Sequence, residues 1–142
     1  MRTVMLATHG HMASGIKSAL EIIAGSTDNV ISIDAFTPDC PNPEEVIGDL
    51  LERFSDDELI VLTDVYFGGV NQIFLKHLKS RRFPCITGIS LPLAVEVLIA
   101  VQNEGDLSSL SSSIELCRSE MKFVESPKGV KERGTEDEAE EL

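Results

Sequence analysis

The chain of 142 residues has no tryptophan, one tyrosine and only three cysteines. The cysteines lie far apart, without the C-x-x-C spacing of zinc or redox motifs, so reduced thiols and a cytoplasmic location are expected. No G-x-x-x-x-G-K-[ST] motif is present to bind a nucleotide, and the pair His9 and His11 lacks further ligands for a metal. The sequence therefore predicts no cofactor and no metal site.

Basic residues are also scarce: 12 Lys and Arg stand against 24 Asp and Glu, a formal net charge of −12 at pH 7. This balance excludes a nucleic-acid groove and charge-driven docking on an anionic membrane. The longest apolar stretch, residues 91–101, is broken by Pro92 and Glu96 and is too short to span a bilayer. An acidic body can attract a basic protein partner, although on charge alone ordinary solubility is the better explanation.

What the chain does contain is a regular alternation of short apolar runs and helical patterns. Strands are predicted at residues 3–8, 30–33, 59–63 and 83–87, and helices at 14–24, 43–54, 70–80, 93–102 and 107–121. Ser14 is expected to cap the first helix, with Ile16, Ala19, Leu20 and Ile23 on its buried face. In the second helix, Val46, Leu50 and Leu51 are expected to face the core.

This alternation predicts an α/β fold, a mostly parallel four-stranded sheet of order 2-1-3-4 with helices on both faces. Residues 1–124 are expected to form one domain, and Lys122–Glu125, where the domain ends, can add a short edge strand. Residues 125–142 carry seven acidic and three basic side chains and few apolar ones. We predict that they form an acidic, disordered tail.

Polar residues cluster where the predicted strands end. His9, Asp34, Asp64 and Gly88 would all lie at the carboxyl edge of the sheet, where ligands collect in open α/β folds. With strand order 2-1-3-4, His9 and Asp64 face each other, and a carboxylate on one imidazole nitrogen leaves the other as a nucleophile. Taken singly, a histidine at a strand end is often a surface residue, and Asp64 can be a helix cap.

Gly68-Gly69 precedes a predicted helix, where backbone N–H groups can form an anion-binding nest. We therefore take Gly10, Gly68, Gly69 and Val70 as phosphate-binding candidates. A nucleophilic imidazole, an orienting carboxylate and an anion nest together predict histidine phosphorylation, with the phosphoryl group supplied by another protein. Each piece also has a plainer interpretation: Gly-Gly is often only a turn.

Tyr66 and Phe67 either pack over this loop or mark an exposed contact patch, and His77 is expected at the surface, away from the strand ends.

Three motifs, in order and spacing, resemble a known family over about residues 4–121. They are Thr8-His9-Gly10-His11 with Ala13-Ser14-Gly15, then Thr63-Asp64 with the Gly-Gly loop and Val70-Asn71-Gln72, and Gly88-Ile89-Ser90-Leu91-Pro92-Leu93 with Val95-Glu96. The chain resembles the IIA component of the mannose/fructose/sorbose family of the phosphoenolpyruvate-dependent sugar phosphotransferase system (PTS).

The resemblance implies that His9 accepts a phosphoryl group from the phosphocarrier HPr and passes it to a separate IIB component. Asp64 would hydrogen-bond the active histidine, and IIB would link the protein to the membrane subunits IIC and IID. Homodimers that exchange a C-terminal strand, here Lys122–Glu125, are also implied. One departure is that the family usually has Gly-Gly-Ser where this chain has Phe67-Gly68-Gly69, so a serine hydroxyl is missing.

Two other functions compete with a phosphohistidine carrier. A regulatory binding module of the same fold would control a transcription regulator or an enzyme rather than move sugar. A flavodoxin-like nucleotide or flavin domain is weaker, because no G-x-G-x-x-G follows a strand and aromatic rings for stacking are few.

Overall fold

The computed structural model of the chain describes residues 1–104 and 106–125. The elements run in the order β1 Thr3–His9, α1 Met12–Ala24, β2 Val30–Ala35, α2 Pro43–Leu51, β3 Leu59–Thr63, α3 Gly69–His77, β4 Cys85–Thr87, α4 Leu91–Gln102 and α5 Leu110–Ser119. Short 3₁₀ turns at Asp56–Glu58 and Leu107–Ser109 precede β3 and α5. Apart from Glu125, the predicted acidic tail lies outside the described residues.

The four strands form one parallel sheet in the order β2-β1-β3-β4, which confirms the predicted topology. In the register of the central strands, Ala7 lies opposite Thr63 of β3, and His9 lies opposite Ala35 of β2. The carboxyl ends of β1, β2 and β3 therefore meet at one edge. The segments that leave this edge carry the candidate site.

The sheet is covered on both faces, which explains why β1 and β3 are continuous apolar runs. Val4 and Leu6 of β1 pack with α1, α4 and α5 in one core, whereas Met5 and Ala7 pack with α2 and α3 in the other. Every residue of β3 is buried. Within the described residues, no helix is long and apolar enough to cross a membrane.

The start of α1 differs from the prediction. The helix begins at Met12, and Ser14 lies inside it rather than at the N-cap. Its first amide groups are satisfied from outside the helix: Thr8 Oγ1 accepts from the Ala13 N–H at 2.7 Å, and Asp34 Oδ1 accepts from the Ser14 N–H at 3.0 Å. Because these acceptors come from two strands, a capping rule based on neighbouring residues could not find them.

Two helix faces were also predicted wrongly in part. In α2 the buried residues are Pro43, Ile47 and Leu51, one turn apart, whereas Val46 is exposed. In α1 the buried stripe runs through Ala13, Ile16 and Leu20, and Ile23 lies at the exposed end beyond the core. The way each helix packs against the sheet decides which of its side chains face the core. It also decides how far along the helix side chains remain buried.

The predicted edge strand does not form within one chain, because Lys122–Glu125 belongs to no strand in the described structure. Among residues 1–104 and 106–125, β4 pairs only with β3 and is an edge of the sheet. Exchange of residues 122–125 with a second copy stays a prediction.

The buried hydroxyl of Thr8 offers a test of how the carboxyl end of β1 is joined to α1. Thr8→Val keeps the side-chain shape but removes the acceptor for the Ala13 N–H. We expect the free energy of unfolding to fall by about 1–3 kcal/mol, the usual cost of a buried donor left without a partner. Urea unfolding measures it.

Thr87→Val is the matched control, since Thr87 Oγ1 is buried without a partner among the described residues. The same change there should leave stability within about 0.5 kcal/mol of wild type or raise it. Equal losses in the two variants would contradict the assignment of the Thr8 hydrogen bond.

Candidate functional site

His9 and Asp64 lie in direct contact at the carboxyl edge. His9 is the last residue of β1, and Asp64 follows the last residue of β3. The imidazole Nδ1 lies 2.9 Å from Asp64 Oδ2, and the same oxygen accepts from the His9 backbone N–H at 2.9 Å. The structure therefore brings together the two residues that the sequence placed opposite each other.

The Asp64 carboxylate is held as an anion. Its side chain is only 8% exposed. Burial by itself would raise the pKa of this carboxyl, but hydrogen bonds from the backbone and ring of His9 outweigh it and lower the pKa below its ordinary value. The second oxygen, Oδ1, accepts from the Val65 N–H at 3.0 Å. An ionised Asp64 favours the His9 tautomer with its proton on Nδ1, which leaves a lone pair on Nε2.

The free ring nitrogen of His9 faces the amino end of α3. A Cβ atom built on Gly69 would lie 4.0 Å from His9 Nε2. No acidic residue occurs in the first turn of α3, and Gly68 at the N-cap provides no side-chain acceptor. A group carried on Nε2 thus meets the positive end of a helix dipole.

The four phosphate-binding candidates are not equivalent. The N–H of Gly10 donates to Ala35 O at 2.9 Å, and that of Gly68 donates to Val65 O at 2.9 Å, so both are already used within the fold. Gly69 and Val70 are the first residues of α3, where N–H groups have no acceptor inside the helix. Gly69 and Val70 are therefore the candidates whose N–H groups remain available to a phosphoryl group, and phosphate binding at the four positions stays a prediction.

Two hydrogen bonds hold the loop between Asp64 and α3. Thr63 Oγ1 donates to Asn71 Oδ1 at 3.1 Å in the core, and Gln72 Nε2 donates to the Phe67 carbonyl at 2.8 Å. The Val70-Asn71-Gln72 motif was noticed in the sequence, but its role as the anchor of this loop depends on tertiary contacts. Gly68 lies close to Val65, and a Cβ atom at position 68 would be only 3.0 Å from Val65 Cβ, so a larger residue would have to displace that side chain.

A second histidine–aspartate pair lies at the same edge and was missed as a pair. His11 Nδ1 lies 3.1 Å from Asp34 Oδ2, and Asp34 Oδ1 binds the Ser14 N–H. Burial tends to raise the pKa of Asp34, but its bonds to Ser14 and His11 lower it overall. Asp34 packs on the α1 side of the sheet, so it does not join His9 and Asp64.

Phe36 was not identified from the sequence as part of the site. Its ring centroid lies 5.5 Å from that of His9, and its backbone has φ of 64°. No local pattern predicts a phenylalanine in this left-handed conformation.

The remaining predicted residues lie elsewhere. Gly88 follows β4 with φ of 74°, and His77 ends α3, at the far end of the helix from Gly69. Within residues 1–104 and 106–125, no three His, Cys, Asp or Glu side chains are grouped so as to hold a metal ion.

Comparison with solved structures gives the fold independent support. A Klebsiella pneumoniae protein described as a PTS permease is 26% identical over 86% of this chain and 90% of its own, with a TM-score of 0.77. A PTS IIA protein associated with the fucose utilization operon of Streptococcus pneumoniae is 22% identical over 86% and 92%, with a TM-score of 0.70. The mannose/sorbose-specific IIA subunit of Enterococcus faecalis is 18% identical over 89% and 96%, also with 0.70. The last two show the fold alone.

No curated protein sequence matches the chain at a significant level. The model of the family described as "PTS system fructose IIA component", also designated EIIA-man, matches residues 3–115, which is most of the chain and includes both His9 and Asp64. The chain therefore belongs to this family of PTS IIA components, whose role is phosphoryl transfer within sugar phosphotransferase systems.

Proposed function

We propose that this protein is a phosphohistidine carrier that accepts a phosphoryl group from HPr on Nε2 of His9 and passes it to a separate IIB component. The observation that carries the proposal is the 2.9 Å contact between His9 Nδ1 and Asp64 Oδ2, with Nε2 directed at the amino end of α3. The pair of His11 and Asp34 also lies at a helix amino end, but the Ala13 and Ser14 N–H groups there already donate to Thr8 and Asp34.

The transfer needs no proton to move. The lone pair of His9 Nε2 forms the new nitrogen–phosphorus bond while the donor's own nitrogen–phosphorus bond breaks, and that electron pair returns to the donor imidazole. His9 thereby becomes a cationic phosphoimidazolium, because the proton stays on Nδ1, from which it is donated in a hydrogen bond to Asp64 Oδ2. Because Asp64 is largely buried and ionised, it stabilises this cation more strongly than an exposed carboxylate would.

The new phosphoryl oxygens would be met by the N–H groups of Gly69 and Val70. These donors are backbone groups fixed by α3, so they need no rearrangement when negative charge arrives. The second transfer, from His9 to a histidine of IIB, uses the same Nε2 atom, since Nδ1 of His9 is bonded to Asp64.

The family also suggests where and with what the protein works. We place it in the cytoplasm, linked through IIB to the membrane subunits IIC and IID, and we propose a homodimer. The exposed Met121, Phe123 and Val124 and the unpaired edge of β4 support exchange of residues 122–125 between two copies.

A regulatory module of the same fold is the second candidate. It is favoured by Gly69, which provides no hydroxyl where the family usually has serine. The two functions are separated by adding IIB to the phosphorylated protein, because a carrier loses its phosphoryl group to IIB and a purely regulatory module retains it.

The proposal is tested by incubating the protein with phosphoenolpyruvate, enzyme I and HPr. We expect one phosphoryl group per chain, labile in acid, on the peptide that contains His9. Mass spectrometry can place the group, and His11 and His77 provide internal comparisons. Absence of phosphate, or phosphate on either of those two histidines, would refute the proposal.

Gly69→Ser tests the anion site directly. A Cβ atom there would make only ordinary contacts, 3.7 Å from the Phe36 ring and 4.0 Å from His9 Nε2, so the variant should fold like wild type. The hydroxyl would reach a phosphoryl group on Nε2, and we expect phosphohistidine to hydrolyse about fivefold more slowly, the effect of roughly one added hydrogen bond of ~1 kcal/mol.

Gly68→Ser is the control for Gly69→Ser. Its Cβ atom would lie 3.0 Å from Val65 Cβ and 3.1 Å from Val65 O, so this variant should lose stability. An unchanged or shortened phosphohistidine lifetime in Gly69→Ser would place the phosphoryl group away from α3.

A further inference from the structure

The ring of Phe36 lies against the imidazole of His9. The two ring centroids are 5.5 Å apart, and the ring planes are inclined by 33°, which is closer to a stacked than to an edge-on arrangement. A Cβ atom built on Gly69 would lie 3.7 Å from Phe36 Cζ and 4.0 Å from His9 Nε2. Phe36 therefore borders the same space as Nε2 and the amino end of α3.

The backbone of Phe36 is strained, and a closed turn holds it in place. Phe36 directly follows β2, and its φ of 64° is a left-handed conformation that bulky residues rarely adopt. The Phe36 N–H donates to the Cys40 carbonyl at 2.9 Å, and the Cys40 N–H donates to the Thr37 carbonyl at 3.0 Å. Thr37 Oγ1 donates to the Asp34 carbonyl at 2.8 Å, which ties the turn to β2.

Burial does not explain why a phenylalanine occupies this strained position. Phe36 is 56% exposed, so more than half of its surface gains nothing from the core. Backbone strain that packing does not offset is found mainly at functional sites. The contact that the strained backbone provides is the one between the Phe36 ring and His9.

Phosphorylation changes the charge of the imidazole that Phe36 contacts. When His9 Nε2 gains a phosphoryl group, its lone pair becomes the nitrogen–phosphorus bond, and the ring keeps its proton on Nδ1 and becomes cationic. The face of an aromatic ring is negative and attracts a cation that lies within about 6 Å of the ring centroid. A neutral imidazole lacks this attraction, so the contact favours the phosphorylated state of His9 over the unphosphorylated one.

We propose that Phe36 is a further residue of the phosphoryl-acceptor site and that its ring stabilises the positive charge on phosphorylated His9. This inference rests on the proposed function. Asp64 contacts the imidazole in the plane of its ring, at Nδ1, whereas Phe36 lies against its face. The two side chains therefore stabilise the cation from different directions and through different interactions.

The experiment measures the equilibrium constant for exchange of the phosphoryl group between HPr and this protein. The nitrogen–phosphorus bond in HPr breaks as the bond to His9 Nε2 forms, and the fractions of the two phosphorylated proteins give the constant. At concentrations where the complex is dissociated, a residue that only touches HPr changes the forward and reverse rates equally and leaves this constant unchanged. The constant therefore reports on phosphorylated His9 itself.

For Phe36→Leu we expect the equilibrium constant to fall about two- to fivefold, the usual size of one exposed contact between a cation and an aromatic face. Leucine keeps an apolar side chain on the same backbone but has no aromatic ring. Phe36→Gly, which also relieves the backbone strain, should fall equally and serves if the leucine variant does not fold. Phe36→Tyr keeps the ring and should stay close to wild type.

Phe67→Leu is the matched control variant. Phe67 is also an exposed phenylalanine at this edge, and it has a left-handed backbone with φ of 58°. Its ring packs against Tyr66, with the centroids 4.1 Å apart, rather than against His9. The equilibrium constant of Phe67→Leu should therefore equal that of wild type.

Each other outcome overturns the inference in a distinct way. A wild-type constant in Phe36→Leu and Phe36→Gly would show that the ring does not stabilise the cation. An equal loss in Phe36→Tyr would assign the effect to the fit of the side chain, and an equal loss in Phe67→Leu would assign it to the loops at this edge in general. Wild-type protein that HPr does not phosphorylate would refute the proposed function itself, and the role of Phe36 with it.

Discussion

Replacing His9 by glutamine is expected to abolish phosphoryl acceptance while leaving the protein folded. Glutamine keeps a polar side chain but has no lone pair on nitrogen with which to attack phosphorus, so acceptance from HPr should fall below detection. Stability should change by less than about 1 kcal/mol, because the His9 side chain is 46% exposed and its backbone N–H still donates to Asp64. Acid-labile phosphate and urea unfolding measure the two effects.

His11→Gln is the matched control for the His9 variant. His11 is also an exposed imidazole whose Nδ1 is bonded to a carboxylate, but it belongs to the pair with Asp34 on the α1 side of the sheet. The His11→Gln variant should accept as much phosphate on His9 as the wild-type protein does. Phosphate retained by His9→Gln and lost by His11→Gln would reverse the assignment.

Asp64→Asn is expected to slow phosphoryl acceptance by about 10²–10³-fold, the loss typical of removing one preorganised electrostatic partner. Both carboxylate oxygens accept hydrogen bonds, Oδ2 from His9 and Oδ1 from the Val65 N–H. An amide must direct its NH₂ group at one of these donors, so the His9 ring loses its orientation or Val65 loses its acceptor. In addition, no negative charge remains to stabilise the phosphoimidazolium.

The control is Asp34→Asn, which disturbs the other histidine–aspartate pair in a similar way. The free energy of unfolding of Asp34→Asn should fall by about as much as that of Asp64→Asn, whereas its rate of phosphoryl acceptance should match wild type. Single-turnover rates with phosphorylated HPr distinguish the two variants. A wild-type rate for Asp64→Asn would mean that Nδ1 of His9 needs no anion beside it.

The lowered pKa of Asp64 also has a consequence for stability. Its hydrogen bonds stabilise the fold at pH values above its ordinary pKa of 3.8, and that contribution is lost as the pH falls through the lowered pKa of the folded state. Asp64→Asn lacks this contribution at every pH. The stability gap between wild type and variant should therefore stay constant near neutral pH and narrow as the pH falls below 3.8 towards the lowered pKa of the folded state.

Much of the fold could be predicted from local patterns. The predicted bounds of β3, residues 59–63, agree with the structure, because a continuous apolar run ended by Asp64 is typical of a strand buried on both faces. The parallel order β2-β1-β3-β4 was also predicted correctly. Errors fell on helix starts and faces, such as Ser14 and Val46, where residues distant in the sequence decide which amides are capped and which side is buried.

Some features of the candidate site could likewise be predicted from the sequence, and others depend on the tertiary structure. The sequence alone determined that His9 ends a buried strand, that Asp64 directly follows another, and that a Gly-Gly pair lies where α3 begins, because burial, chain reversal and helix initiation depend mainly on neighbouring residues. The tertiary structure alone decided that His9 Nδ1 contacts a carboxylate 55 positions away, that Gly10 and Gly68 have already used their amides, and that Phe36 and Phe67 are held with left-handed backbones. These features depend on how whole elements pack against one another, and no local propensity encodes a contact between distant residues.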